Sequence, residues 1–142
     1  MSTEPDGALE IAIAYHRAWT SGDMNSAVQY LAADVSCYAP AGTMTGQAEV
    51  RAFMEPFAES LTSSTLYAAY GSNDEAILMY DTANHFVPTA PGAELYRLRD
   101  GLIVEIRIIF DRLPFALARG DVVMKPGRSD MAPLGGSERG GP

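Results

Sequence analysis

The stretch Leu95–Asp111, LYRLRDGLIVEIRIIFD, decides the fold. Asp100-Gly101 is a two-residue hairpin signal, because the favoured tight turn needs residues that tolerate positive φ. Ahead of the turn, Glu94, Tyr96 and Leu98 alternate with Arg97 and Arg99. After it, Ile106, Ile108 and Phe110 alternate with Arg107, Ile109 and Asp111. Alternation of this kind predicts two paired strands, with the first of each set facing inward and Asp111 facing out. Upstream, Ser64–Tyr70 and Ala76–Val87 are further strand-like runs. They are joined by a turn at Gly71–Asp74 and followed by the proline-stiffened loop Pro88–Gly92. Consecutive strands with short connections predict an antiparallel sheet.

The first half has helical spacing. Ala8, Ile11, Ala12, Tyr15, Ala18 and Trp19 form one apolar face, with Glu10, His16, Arg17 and Thr20 assigned to the other side. Gly22 ends this helix and Asp23 caps a second, short one through Met24, Ala27, Val28 and Leu31. Val35–Tyr38 is β-prone, Pro40-Ala41-Gly42 turns the chain, and Thr43–Thr45 returns. A third helix follows Gly46, with Val50, Phe53, Met54, Phe57, Ala58 and Leu61 on its apolar face and a kink expected at Pro56. Met24, Met44, Met54 and Met79 are assigned to the core. Leu113–Val123 reads as one helical turn and then an extended piece. The class is α+β: three N-terminal helices on a strongly curved antiparallel sheet, together a cone-shaped barrel. Residues 1–7 read as a disordered leader, 8–124 as one domain, and 125–142 as a flexible Gly/Pro/Ser-rich tail.

Composition excludes several classes. The net charge of −8 leaves no basic stripe to neutralise phosphates, which argues against nucleic acid and anionic membranes as partners. The single Cys37 cannot form an internal disulfide and reads as a buried small hydrophobe; a cytoplasmic location is expected. No apolar run approaches the roughly 20 residues of a membrane span. No metal-ligand spacing and no phosphate-binding glycine loop occurs, so no metal and no cofactor are expected.

Three segments in this order, AYHRAWTSGDMNSAVQYLAADV (14–35), GQAEVRAFM (46–54) and LYRLRDGLIVEIRIIFD (95–111), resemble the nuclear-transport-factor-2-like superfamily. The resemblance covers about residues 8–112. Its nearest branches are the SnoaL-like polyketide cyclases, the ketosteroid isomerases and the limonene epoxide hydrolases. Likeness to the isomerases implies that Tyr15, seven residues before Gly22, donates a hydrogen bond to a developing enolate oxygen. It also aligns Glu94, in Glu94-Leu-Tyr-Arg97, with a carboxylic acid kept protonated by an apolar site. The isomerases' aspartate base falls on Ala39, before Pro40, and is missing. The charged relay of the epoxide hydrolases falls on Thr82, Asn84 and Ile108 and is lost.

Strand parity then predicts an apolar pocket with few polar groups. The expected catalytic residues are Tyr15 and Glu94. Expected substrate contacts are Trp19, Met54, Phe57, Tyr80 and Thr82, together with Asn84, Tyr96, Ile108 and Phe110. His85 and Asp111 are secondary acid–base candidates that parity turns outward. The implied function is a cofactor-free cyclase or isomerase in natural-product biosynthesis, acting on an apolar polyketide- or steroid-like molecule. It would polarise a substrate oxygen by hydrogen bonds from Tyr15 and Glu94. The alternatives are a non-catalytic binding or dimeric accessory protein, or a hydrolase or dehydratase with a divergent site. A homodimer through the outer sheet face is expected, because Met79, Ala83 and Ile109 leave an apolar stripe there.

Overall fold

A computed structural model describes residues 7–126. Residues 1–6 of the expected leader and 127–142 of the expected tail lie outside the described residues, and Gly7 is the N-cap of the first helix. The element order is α1 (Ala8–Thr20), α2 (Met24–Ala27), a 3-10 turn (Val28–Tyr30), β1 (Leu31–Ala39), β2 (Gly42–Thr45) and α3 (Gln47–Ser60). There follow β3 (Leu61–Gly71), β4 (Glu75–Asn84), β5 (Gly92–Arg99), β6 (Leu102–Phe110) and α4 (Leu113–Arg119). The chain is α+β, with helices against one face of a six-stranded sheet ordered β2-β1-β6-β5-β4-β3. The sheet is curved and its edges do not close.

β2 and β3 are opposite edges of the curved sheet, and α3 is the crossover that links them. The same crossover sets β1 beside β6 in parallel, with Cys37 opposite Ile106, whereas the other four pairings are antiparallel. The expectation of a wholly antiparallel sheet is corrected at this one seam.

Local signals account for most boundaries. Gly22 has φ 88°, and the Asp23 carboxylate accepts from the Ser26 amide at 3.0 Å. Asp100 and Gly101 take φ 55° and 77° at the β5–β6 turn, as the dipeptide implied. β4 keeps strict alternation, burying Ala76, Leu78, Tyr80, Thr82 and Asn84. On β6 a register shift makes Val104 an extra residue, which restores Ile106 and Ile108 to the inner face.

Other expectations are corrected. The second helix is a single turn, and Leu31 opens β1 rather than closing a helix. Residues 113–119 form a seven-residue helix closed by Gly120 in the left-handed region, not one turn. Met79 is about half exposed on the outer sheet face. His16 is buried with Ala8, Ala12, Tyr15 and Trp19: it lies four residues after Ala12, squarely on the packed face, and only its polarity had suggested the surface.

Candidate active site

α3 and α4 roof a cavity of about 610 Å³ over the concave face of β4, β5 and β6. Its walls are mostly apolar: Phe53, Met54 and Phe57 from α3, Ile108 and Phe110 from β6, and Phe115 from α4. α4 has no buried residue of its own. It is held by Phe115, whose ring meets Phe57 and Phe110 edge-on at 6.0 and 5.6 Å between centroids. Such pairs contribute about 0.5–1.5 kcal/mol each beyond area burial.

One carboxyl stands in this apolar wall. Glu94 lies on β5 between Leu78 and Ile108 in register, and it is 1% exposed. Tyr80, diagonally across on β4, donates its hydroxyl to Oε2 at 2.5 Å. Tyr96, two residues along the same strand, donates to Oε1 at 2.6 Å. Inward alternation thus puts three polar tips together on one patch of sheet. Burial pushes the Glu94 carboxyl above the usual carboxylate range, and the two hydroxyls pull it partly back. Burial, reinforced by the Glu94 charge, lifts both tyrosines well above theirs. The phenols therefore stay protonated and act as donors to the Glu94 carboxyl.

Gly92 makes the arrangement fit. It pairs with Tyr80 in register, and a Cβ on it would lie 2.9 Å from the Tyr80 ring and hydroxyl. The bare backbone is what lets that ring lie across β5 toward Glu94. Behind Tyr80, His16 and Trp19 back the ring at centroid distances of 4.9 and 5.8 Å. The buried His16 ring is held down to about pH 4 in its titration, by burial first and by Arg17 second.

The structure divides the expected site residues. Met54, Phe57, Tyr80, Asn84, Glu94, Ile108 and Phe110 line the cavity. Trp19 and Tyr96 are fully buried behind it. Thr82 gives its hydroxyl to the Ala90 carbonyl at 2.7 Å, pinning the β4–β5 loop. Tyr15 packs edge-on against Tyr96, 5.8 Å between centroids, and its buried hydroxyl has no hydrogen-bond partner. It is near enough for the Glu94 charge to raise its pKa, after burial itself, but it is not on the cavity wall. His85 and Asp111 are exposed, as parity implied, and Asp111 accepts from the Leu113 amide at 2.9 Å. Asn84 turns the chain after β4: its Oδ1 accepts from the amides of Phe86 and Val87, both at 2.9 Å, and Nδ2 has no acceptor. Sequence reasoning missed Gly92, read as a loop glycine, and the contribution of α4, whose seven residues carry too few periods to register. Among the described residues no three or more His, Cys, Asp or Glu side chains converge as a metal site would require. No helix among them is long and apolar enough to cross a membrane.

The SnoaL-like domain matches residues 12–106, which span every element from α1 to the middle of β6. The chain belongs to the SnoaL-like family. Among solved structures, a Kribbella flavida DSM 17836 protein is 48% identical, with a TM-score of 0.79 over 81% of this chain and 95% of its own. An NTF2-like protein from Cytophaga hutchinsonii is 19% identical, with a TM-score of 0.67 over 81% and 98%. A Bacillus subtilis protein named as a candidate isomerase is also 19% identical, with a TM-score of 0.66 over 82% and 97%. These last two share the NTF2-like fold. No curated protein matches.

Proposed function

We propose that this protein is a cofactor-free isomerase or cyclase in which Glu94 moves a proton within an apolar cavity. The observation that carries the reading is Glu94 itself: a buried carboxyl on the cavity wall, each oxygen held by a tyrosine hydroxyl. Two hydroxyl donors favour the carboxylate, and the apolar wall makes it a stronger base than a solvated one. Glu94 takes a proton from carbon beside a substrate carbonyl, and the electron pair moves onto oxygen as an enolate. Return of the proton to another carbon gives isomerisation. Attack of the enolate carbon on a second electrophilic carbon of the folded substrate gives ring closure, and the proton then goes to the new alkoxide. Tyr80 gives its single hydroxyl proton to Glu94, so the unpartnered amide of Asn84, a residue of the wall, is the donor for the developing oxyanion.

The cavity's size and apolar walls suit a polyketide- or steroid-like skeleton, as expected in natural-product biosynthesis. Membership of a family that includes isomerases and cyclases supports the reaction class. A fold neighbour named as a candidate isomerase points the same way. Relative to the expectation of Tyr15 and Glu94 donating together to one oxygen, Glu94 becomes the base, held by Tyr80 and Tyr96, and Tyr15 has no part in the reacting centre. One observation favours a second reading, a binding protein without chemistry: both Glu94 oxygens already carry a hydrogen bond.

Proton exchange separates the two. 2-Tetralone, an apolar ketone with an acidic C1 position, should lose its C1 proton signal in D₂O buffer faster with the protein than without it. Glu94→Gln should remove about a hundredfold or more of that acceleration. Exchange at the protein-free rate, or an acceleration that Glu94→Gln leaves intact, sinks the catalytic reading.

A further inference from the structure

The cavity has a charged rim as well as an apolar body. Arg112, at the junction of β6 and α4, lines the mouth. Its Nη1 reaches only the Pro40 carbonyl, at 3.4 Å, across the mouth on the β1–β2 turn. Among the described residues it is in no ion pair, whereas Arg51, Arg97, Arg107 and Arg119 each have a carboxylate. The neighbouring Asp111 carboxylate accepts from the Leu113 amide and is not part of the cavity wall. Arg119, the other cation on the wall, is neutralised by Asp121 at 2.8 Å. In a chain of net charge −8, one uncompensated guanidinium therefore stands where an apolar ligand would leave its polar end. A guanidinium offers a fork of donors suited to a carboxylate or a similar oxyanion.

We infer that the ligand of this cavity is an amphiphilic organic anion. Its charged end lies at Arg112 on the mouth and its apolar body runs inward toward Glu94. The inference rests on the proposed function in placing the substrate in this cavity, and it adds the substrate's charge. It also fixes orientation, since the acid end at the mouth sends the opposite end of the skeleton to the Glu94 carboxylate, which repels anions.

Two fluorescent probes of nearly the same shape test it: 8-anilino-1-naphthalenesulfonate, an anion, and N-phenyl-1-naphthylamine, which lacks the sulfonate. Arg112→Ala should weaken binding of the anion about fivefold to tenfold, the scale of one partly exposed charge pair. It should leave the neutral probe within about twofold. Arg112→Lys should restore part of the loss, and added salt should weaken the anion alone. Arg17→Ala, which removes one positive charge from the exposed face of α1, should do neither. Ile108→Trp, which fills the cavity, should abolish both signals; signals that survive it lie outside the cavity and overturn the inference. Equal weakening of both probes by Arg112→Ala would make Arg112 a packing residue. An anion indifferent to Arg112→Ala would overturn the inference while the neutral probe's binding keeps the cavity as a ligand site. Binding of neither probe removes the proposed function and this inference together.

Discussion

At the scale of single residues, titration of buried groups supplies the sharpest expectations. The Glu94 pKa is raised on folding, so the folded chain holds that proton to higher pH than the unfolded chain. Stability from this group is therefore full below the ordinary carboxylate range and declines as pH rises through the raised value. Activity runs the other way, because the base must be ionised. Turnover of 2-tetralone protons should climb across the same window in which the melting temperature falls. Glu94→Gln should abolish the first and flatten the second. His16 is the opposite case. Its folded pKa of about 4 lies below the free value of 6.5, so its contribution is present above pH 6.5 and lost as pH falls toward 4. The size is on the order of 3 kcal/mol. His16→Phe should flatten the acid limb of a stability-against-pH curve, and an unchanged limb would show that the ring is solvated. Tyr15 tests the correction made to the site. Its buried hydroxyl has no partner, and such a group costs about 1–3 kcal/mol. Tyr15→Phe should leave proton exchange unchanged and the protein equally or more stable. A tenfold loss of exchange would return Tyr15 to the reacting centre.

At the scale of elements, the β4–β5 pair is what turns alternation into a site. Tyr80 reaches Glu94 because its register partner, Gly92, has no side chain. Gly92→Ala would force the Tyr80 ring back onto His16 and Trp19, which are already packed behind it. Overpacking of this kind costs about 1–3 kcal/mol. The melting temperature should drop. Exchange should fall further than that drop explains, because the 2.5 Å hydrogen bond to Glu94 is displaced. Tyr80→Phe in the same background should then cost little more, since the two changes act through one contact. Independent, multiplying losses would mean that Gly92 matters only for folding. α4 belongs to this scale as well. It closes one side of the cavity through Phe115, not through a core of its own, which places it at the low-stability end of the fold.

At the scale of the whole molecule, the outer face of the sheet stands out. Cross-strand rows place Ile77 beside Leu95, and Ala93 between Met79 and Ile109. Ile77, Met79 and Ile109 are each half or more exposed. Glu75, Arg97 and Glu105 bound the patch as a linked ion-pair row. An apolar centre with a charged rim is the anatomy of a protein interface, and a homodimer across this face remains the expected assembly. Ile109→Glu would set like charges against each other across a two-fold axis. Sedimentation should show a dimer for the natural chain and a monomer for the variant; a natural chain that is monomeric at micromolar concentration ends the idea.

The sequence by itself determined the elements and their inner faces. The Asp100-Gly101 turn, the Gly22-Asp23 helix junction and the alternation of β4 and β5 are local. Each depends on φ/ψ preference or on a period of two or 3.6, which a single chain segment displays. Order and spacing of those segments were enough to indicate the SnoaL-like fold and to bring Glu94, Tyr80 and Asn84 inward. Tertiary structure alone decided which inward residues touch the cavity and which stand behind it. Tyr15 and Trp19 satisfy the same helical periodicity as Met54 and Phe57, and Tyr96 the same alternation as Glu94, yet all three are covered by their neighbours, because depth depends on how the sheet curves under the helices. The parallel β1–β6 seam, the Gly92–Tyr80 approach and the lone Arg112 at the mouth likewise join residues far apart in the chain. Periodicity carries no information about such contacts; they arise only when the edges of the sheet are drawn together.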